Sequence, residues 1–384
     1  MTISTAVPLT VDSLCDLARR RLGTDADDSF EFLETLHVLT DALECEARLA
    51  PSGRAAVQNG LIGNLVVQAR AHRNAARNPE VEQVAIERPV FIIGLLRSGS
   101  TLLHNLLAVH PRLRCPTLWE LLTPAGSRDP DQCEQAVESA RGYVEELWRQ
   151  APELPRIHFI HALRPDECHR LLVNTFESPI NWLRFHVPSY ASWLGERDLT
   201  RAYEHHRLQL QNVLWRVPGG VPVLKCPFHV WCLDALVRVY PDARFVYLHR
   251  DPVSVIASTC SLSAELRSAR SDEVDRREVG SFWLEQVAPV LDRMDAVRAT
   301  HLADKPVLDV RYPDLVRDPM GTVERICDFI GVPMGEEVAG RMRRYLADNG
   351  QHRHGVHRYT TEEFGLSAED IEDRFVDYRR AYDL

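Results

Sequence analysis

Residues 90–109 constrain this chain most. Val90-Phe91-Ile92-Ile93-Gly94 is an unbroken apolar run ending in glycine, the pattern of a parallel strand buried on both faces. It leads into Leu95-Leu96-Arg97-Ser98-Gly99-Ser100-Thr101 and then a helical stretch over 102–109. Strand, small-residue loop and helix in this order turn backbone N–H groups and a helix N-terminus toward one point, which predicts a cradle for a phosphate-like anion. The plainer alternative is an ordinary strand–turn–helix with small residues at its turn. Against the triphosphate-binding template G-x-x-x-x-G-K-[ST], Gly94, Gly99 and Thr101 fit, but the lysine position holds Ser100 and an arginine, Arg97, stands inside the loop. The missing lysine would reach the β and γ phosphates of a triphosphate. Its replacement predicts a shorter anionic chain and no magnesium clamp.

Such a cradle needs a sheet around it. Three more largely apolar runs follow, at Val221–Lys225, Arg244–His249 and Val307–Arg311, each separated from the next by helix-period sequence. The prediction is an α/β, P-loop-like three-layer fold, with a central parallel β-sheet flanked by helices. Ahead of it, apolar residues recur at helical spacing (Leu9, Val11, Leu14, Leu17, Ala18, then Phe32, Leu36, Leu39, Leu43). Residues 1–85 therefore read as a helical N-terminal extension and residues 86–384 as the main domain. The extension either pairs two copies as a homodimer or covers the sheet. Within the main domain, 116–219 is rich in Trp, His and Pro and reads as helices and loops shaping a pocket. Its aromatic cluster Trp182, Phe185, Tyr190 and Trp193 either lines that pocket or packs the core.

Charge narrows the partners. A net charge of -10 disfavours nonspecific binding to nucleic acid or an anionic membrane, so any bound anion needs a local site. No apolar run approaches the roughly 18–20 residues of a membrane span, and residues 1–10 lack the basic and apolar regions of a secretion signal. The chain reads as cytoplasmic. Its nine cysteines are scattered, odd in number and never in C-x-x-C, which predicts neither a disulfide framework nor a zinc site.

Two motifs in order now give a resemblance. Arg97-Ser98-Gly99-Ser100-Thr101 resembles the R-S-G-T-T loop that holds the 5'-phosphosulfate in sulfotransferases dependent on 3'-phosphoadenosine 5'-phosphosulfate (PAPS), with Ser100 a departure. Phe245 to Pro252, with Arg250 and then Ser258 eight residues on, resembles the stretch in which an Arg and a Ser grip the 3'-phosphate. An arginine at a strand end offers a bidentate fork, and a serine in the next helix adds a hydroxyl. Lys225-Cys226-Pro227-Phe228-His229 and the run from Val310 to Pro319 extend the likeness; the latter resembles Y-E-D-L-x-x-D-P with Pro313 replacing the acidic residue. A C-terminal stretch from His357 to Leu366 is similar to a bacterial branch with a helical N-terminal extension. Tyrosylprotein and carbohydrate sulfotransferases are more distant.

The resemblance implies transfer of a sulfuryl group from PAPS, as co-substrate, to a hydroxyl on a small-molecule, lipid or secondary-metabolite acceptor. Such transfer needs an in-line acceptor, a base and positive charge where negative charge accumulates. Glu120, beside Trp119, is the candidate base, expected to have its proton affinity raised by an apolar wall; the alternative is a solvated or helix-capping glutamate. His229 is the rival base, and His104 reads as packing. Lys225 is one of only two lysines in the chain and, at a strand end, is the expected stabiliser of the sulfuryl group with Arg97. Donor-binding positions are Arg97, Ser98, Gly99, Ser100, Thr101, Arg250, Ser258, Tyr312 and Arg358. Tyr312 is either a packing residue or part of the donor wall, and Arg358 lies in a loop expected to close over the donor. That loop's His352, His354 and His357 lack carboxylate or cysteine partners at ligand spacing, so no metal is expected.

Two other classes stay open at this point. A P-loop kinase using ATP predicts lysine at position 100 and an acidic strand end for magnesium. A non-catalytic nucleotide-binding module predicts binding without turnover.

Overall fold

The computed structural model describes residues 9–23, 30–350 and 359–384. Five strands, β1 (Val90–Gly94), β2 (Leu113–Arg114), β3 (Val221–Lys225), β4 (Arg244–His249) and β5 (Val307–Arg311), form one sheet in the order β2-β3-β1-β4-β5, and every pairing is parallel. β1 lies at the centre, hydrogen-bonded to β3 and β4.

The unbroken apolar run of β1 follows from its two buried faces. Val90 and Ile92 pack on one side with Leu103, Leu106 and Leu107 of helix Ser100–Leu107 and with Val323 and Ile326 of helix Pro319–Ile330. Phe91 and Ile93 join the opposite cluster with Phe228, Tyr240, Phe245 and Trp283. Each fully buried side chain of this size contributes about 1.5–3 kcal/mol relative to exposure. The three-layer α/β arrangement expected from the sequence is the one observed, with β2 as an added two-residue edge.

The N-terminal segment forms helices Val11–Leu22, Leu33–Cys45 and Pro51–Arg77. Their Leu14, Leu36 and Leu65 belong to the same apolar cluster as Phe91 of the sheet. In the middle region, Trp182 meets Trp231 edge-on at 6.0 Å and the Tyr190 hydroxyl donates to the Phe176 carbonyl, so both are core residues. Among the described residues, no helix is long and apolar enough to cross a membrane.

Candidate active site

The carboxyl ends of β1, β3 and β4 converge on the phosphate loop. Gly94 ends β1 at φ +136°, and a Cβ there would lie 2.4 Å from the Leu248 carbonyl oxygen of β4, so the close approach of the two strand ends requires glycine. The loop then turns through left-handed backbone at Arg97 (φ +66°) and Gly99 (φ +87°). Ser98 Oγ donates to the Leu95 carbonyl at 2.7 Å, tightening the turn. Among the described residues no side chain caps helix Ser100–Leu107 at its N-terminus, which leaves its first amides open to an anion.

Both predicted donor motifs meet here. Arg97 Nε donates to Ser258 Oγ at 3.0 Å, and Arg250 donates to the Arg97 carbonyl. The Arg250 guanidinium stands 4.1 Å over the Tyr312 ring, and a Cβ on Gly99 would meet that ring at 2.8 Å. Arg97, Ser98, Gly99, Ser100, Thr101, Arg250, Ser258 and Tyr312 thus come together from four separate elements. Arg358 lies outside the described residues.

Lys225, the last residue of β3, is 2% exposed. Its Nζ donates to Glu167 Oε1 at 2.6 Å and to Thr101 Oγ1 at 3.4 Å. Glu167 sits in an irregular segment that main-chain bonds dock against the sheet: Cys168 N–H donates to the Lys225 carbonyl at 3.0 Å, and Asp166 N–H to the Pro116 carbonyl at 3.2 Å. The other Glu167 oxygen lies 3.1 Å from His169 Nδ1. Burial alone would raise the Glu167 pKa, but the Lys225 ammonium and His169 overcome it and hold the carboxyl well below its usual range. Next to it, Asp166 accepts from Arg170 Nε at 2.7 Å, and Arg170 also donates to the Tyr143 hydroxyl at 3.1 Å.

Two cavities open onto this group. One, of 220 Å³, runs from Arg97, Ser100 and Thr101 past Glu167 and Phe228 to an apolar wall that includes Leu183. The other, of 420 Å³, shares Arg97 and Thr101 and adds Lys225, Asn105 and Tyr345. His158 lines both, and burial lowers its pKa to about 4, so it is neutral near pH 7.

Neither base expected from the sequence faces these cavities. Glu120 is 3% exposed and belongs to a capping box, accepting 2.8 and 2.7 Å bonds from the Thr117 N–H and Oγ1, while Arg114 donates to both of its oxygens. Burial pushes its pKa up, but Arg114 and Thr117 bring the net shift below the ordinary value, the reverse of the expected rise. His229 is enclosed between the Tyr203 hydroxyl at 2.7 Å and Cys168 Sγ at 3.1 Å, and burial holds it neutral. His104 packs as expected: Nε2 lies 3.2 Å from the Val223 carbonyl, and burial lowers its pKa to about 3.

The residue that sequence reasoning missed is Glu167. A signal existed in Asp166-Glu167-Cys168-His169-Arg170, a dense titratable cluster running straight into the apolar Leu171-Leu172-Val173. Glu167, His169 and Cys226 also bring ligand-type atoms within 4.8 Å of one another. Burial raises the Cys226 pKa well above its ordinary value, and Lys225 already neutralises Glu167, so the trio is poorly disposed to bind a cation.

The chain is similar to known proteins in sequence and in fold. Residues 89–336 match the sulfotransferase family. The omega-hydroxy-beta-dihydromenaquinone-9 sulfotransferase Stf3 of Mycobacterium bovis is 29% identical over 314 residues, covering 77% of this chain and 76% of the relative. Among solved structures, the sulfotransferase STF1 of Mycobacterium tuberculosis H37Rv is 32% identical with a TM-score of 0.80, covering 96% of this chain and 99% of its own. The sulfotransferase STF9 of Mycobacterium avium is 27% identical with a TM-score of 0.86, covering 100% of this chain and 99% of its own.

Proposed function

Because this chain belongs to the sulfotransferase family, we propose that it transfers a sulfuryl group from PAPS to a hydroxyl of a small-molecule or lipid acceptor by in-line displacement in the cytoplasm, with Glu167 as the base. One observation carries this reading: Lys225 Nζ bridges Glu167 and Thr101 of the phosphate loop in a buried wall shared by donor and acceptor space. Strand ends bearing Lys225, Arg250 and Arg311 in place of acidic residues favour a metal-free sulfuryl donor over ATP with magnesium. The reading keeps residues 86–384 as the transferase domain and 1–85 as an extension walling its acceptor side.

The residues divide the work as follows. Arg97, Ser98, Gly99, Ser100 and Thr101 hold the 5'-phosphosulfate, and Arg250 and Ser258 the 3'-phosphate, with Tyr312 as part of the donor wall and Arg358 as a further donor-binding position. The acceptor oxygen forms a bond to sulfur as the bond from sulfur to the bridging phosphate oxygen breaks. That bridging oxygen leaves with the electron pair, giving 3'-phosphoadenosine 5'-phosphate (PAP), and the acceptor proton passes to Glu167. An ammonium has three donors, so Lys225 can turn from Glu167 toward the sulfuryl and leaving oxygens, where charge accumulates. Glu167 is then a buried carboxylate with one cation fewer, and burial raises its affinity for the acceptor proton. Glu120 is read as a structural residue of its helix.

The apolar lining of the 220 Å³ cavity and a curated relative named for a hydroxylated menaquinone derivative both support a hydrophobic, lipid-like acceptor. Incubation with sulfur-labelled PAPS and a panel of alcohols, phenols and hydroxylated quinones tests the reading: label appears in an acceptor, dependent on Glu167 and Lys225. Consumption of ATP in place of PAPS would instead mark a kinase.

A further inference from the structure

The acceptor side of the cavity holds more positive charge than the chemistry above uses. Its lining carboxylates are Asp166 and Glu167, and each has its cation, Arg170 at 2.7 Å and Lys225 at 2.6 Å. Arg97 and Arg250 bond to Ser258 and to the phosphate-loop main chain within the proposed donor site. Two guanidiniums remain, Arg184 and Arg270, and neither forms an ion pair among the described residues. Arg184 makes no hydrogen bond there at all, and Arg270 makes one, from Nη1 to the Leu266 carbonyl at 2.9 Å. A guanidinium keeps its charge near neutral pH even when burial lowers its pKa, as it does for both, to about 10 at Arg270 with Arg184 adding to the effect. A partly dehydrated cation with no ion-pair partner of its own is costly, and two lining one neck are costlier. An anion between them removes that cost.

Their position identifies whose anion it is. Tyr143, Leu147, Arg184 and Arg270 line both the 220 Å³ cavity and an outer one of 720 Å³, so they form the neck between the two. The outer cavity is walled by helix Pro51–Arg77 of the N-terminal extension and by helix Pro130–Gln150. The extension fixes the neck through main chain: Ala50 N–H donates to the Arg270 carbonyl at 2.9 Å, and a Cβ on Gly53 would lie 2.0 Å from that same oxygen. The local field is visible at Tyr143, whose phenol burial would raise but whose pKa is brought down to about 8 by Arg170 and Arg184. A molecule entering from the outer cavity passes the arginine pair before it reaches Glu167.

We infer that Arg184 and Arg270 form an anion subsite at this neck, and that the acceptor is an amphipathic molecule bearing a carboxylate or phosphate separated by an apolar body from the hydroxyl that is sulfated. This rests on the proposed sulfotransferase reading of the inner cavity and specifies its acceptor class. The apolar wall holds the body, the neck fixes the anion, and the distance between neck and Glu167 selects acceptors by length.

The test uses ω-hydroxyalkanoates from hexanoate to dodecanoate, the matching ω-hydroxyalkyl phosphates, and neutral diols of equal length, each with saturating PAPS. At the matching length kcat/KM for an anionic acceptor exceeds that for the diol by at least about tenfold, the yield of a charge-assisted hydrogen bond. R184Q and R270Q each bring the ratio toward one, R184K and R270K retain part of it, and PAP affinity serves as the folding control. The carboxylate and phosphate series distinguish the two anion types. Equal use of diols and anions, or a preference that survives both glutamine variants, overturns the subsite and leaves the sulfotransferase reading intact. Where no compound is turned over, calorimetric binding of the same series decides: anions binding no tighter than diols, or equally well to R184Q, overturns it. Failure of PAP to bind wild-type protein instead counts against the donor site, and the calorimetric arm still reads the neck.

Discussion

Lys225 and Glu167 meet at 2.6 Å in a buried wall, one from the end of a central strand and the other from an irregular segment 58 residues away in sequence. Through Thr101, which Lys225 also contacts, the pair links the phosphate loop to the neighbouring cavity. In the proposed mechanism one cation serves the carboxylate before reaction and the leaving group during it.

If Glu167 takes the acceptor proton, E167Q removes the base while keeping shape and hydrogen-bonding capacity. The expected result is a fall in kcat of at least about 100-fold, with PAP affinity within about twofold of wild type. Turnover under saturating PAPS and a parallel PAP titration read the two effects separately.

The same pair makes a stability prediction. The Glu167 carboxyl has a folded-state pKa held well below its ordinary value by Lys225 and His169 against the opposing effect of burial. Its contribution is therefore fully present above the unfolded value of about 4.3 and is lost as pH falls through the depressed folded value. In K225M, burial is no longer opposed by the ammonium, so the folded pKa rises and the carboxyl costs stability at neutral pH. Thermal unfolding from pH 3 to 7 is expected to show wild type losing stability toward the acid end. The K225M deficit is largest near pH 7 and shrinks as Glu167 protonates.

Glu120 is expected to matter for folding and not for turnover. E120Q weakens the capping box and leaves Arg114 without its buried partner, which costs about 1–3 kcal/mol. The variant should melt earlier by several degrees and retain kcat within about twofold at a temperature where it is folded. A hundredfold loss of kcat in folded E120Q would return the base to that position.

Gly99 is a tight point of the proposed donor cradle. Its φ of +87° strains any other residue, and an added Cβ would press on the Tyr312 ring at 2.8 Å. G99A is expected to lose about 1–2 kcal/mol of stability and to bind PAP more weakly, because Tyr312 also supports Arg250. Differential scanning calorimetry and PAP titration check both.

The fold was largely legible because its strongest elements announce themselves locally. β1, β3 and β4 are mostly buried, so they read as apolar runs; β5, an edge strand with only Val310 buried, reads as a run interrupted by Asp309, and β2, at two residues, is too short to carry one. The residues proposed to hold the donor could be named from sequence because the phosphate loop is contiguous and Arg250 to Ser258 spans one strand end and one helix. Glu167 was not, since its place depends on main-chain bonds from Asp166 to Pro116 and from Cys168 to Lys225, which no local pattern reveals. The same holds for Arg184 and Arg270, which come to line one cavity only in the folded chain. Glu120 shows the converse: Thr117-Leu118-Trp119-Glu120 is itself a capping-box pattern, and the structural role was readable there.

The proposed site for the PAPS nucleotide, built on Arg97 to Thr101, Arg250 and Ser258, works without a metal. Calorimetric titration of the chain with PAP in magnesium-free buffer, beside ATP and beside R250A, probes it. PAP is expected to bind, ATP not comparably, and R250A to hold PAP at least about tenfold more weakly. Absence of PAP binding, or tighter binding of ATP once magnesium is added, would contradict the proposed site.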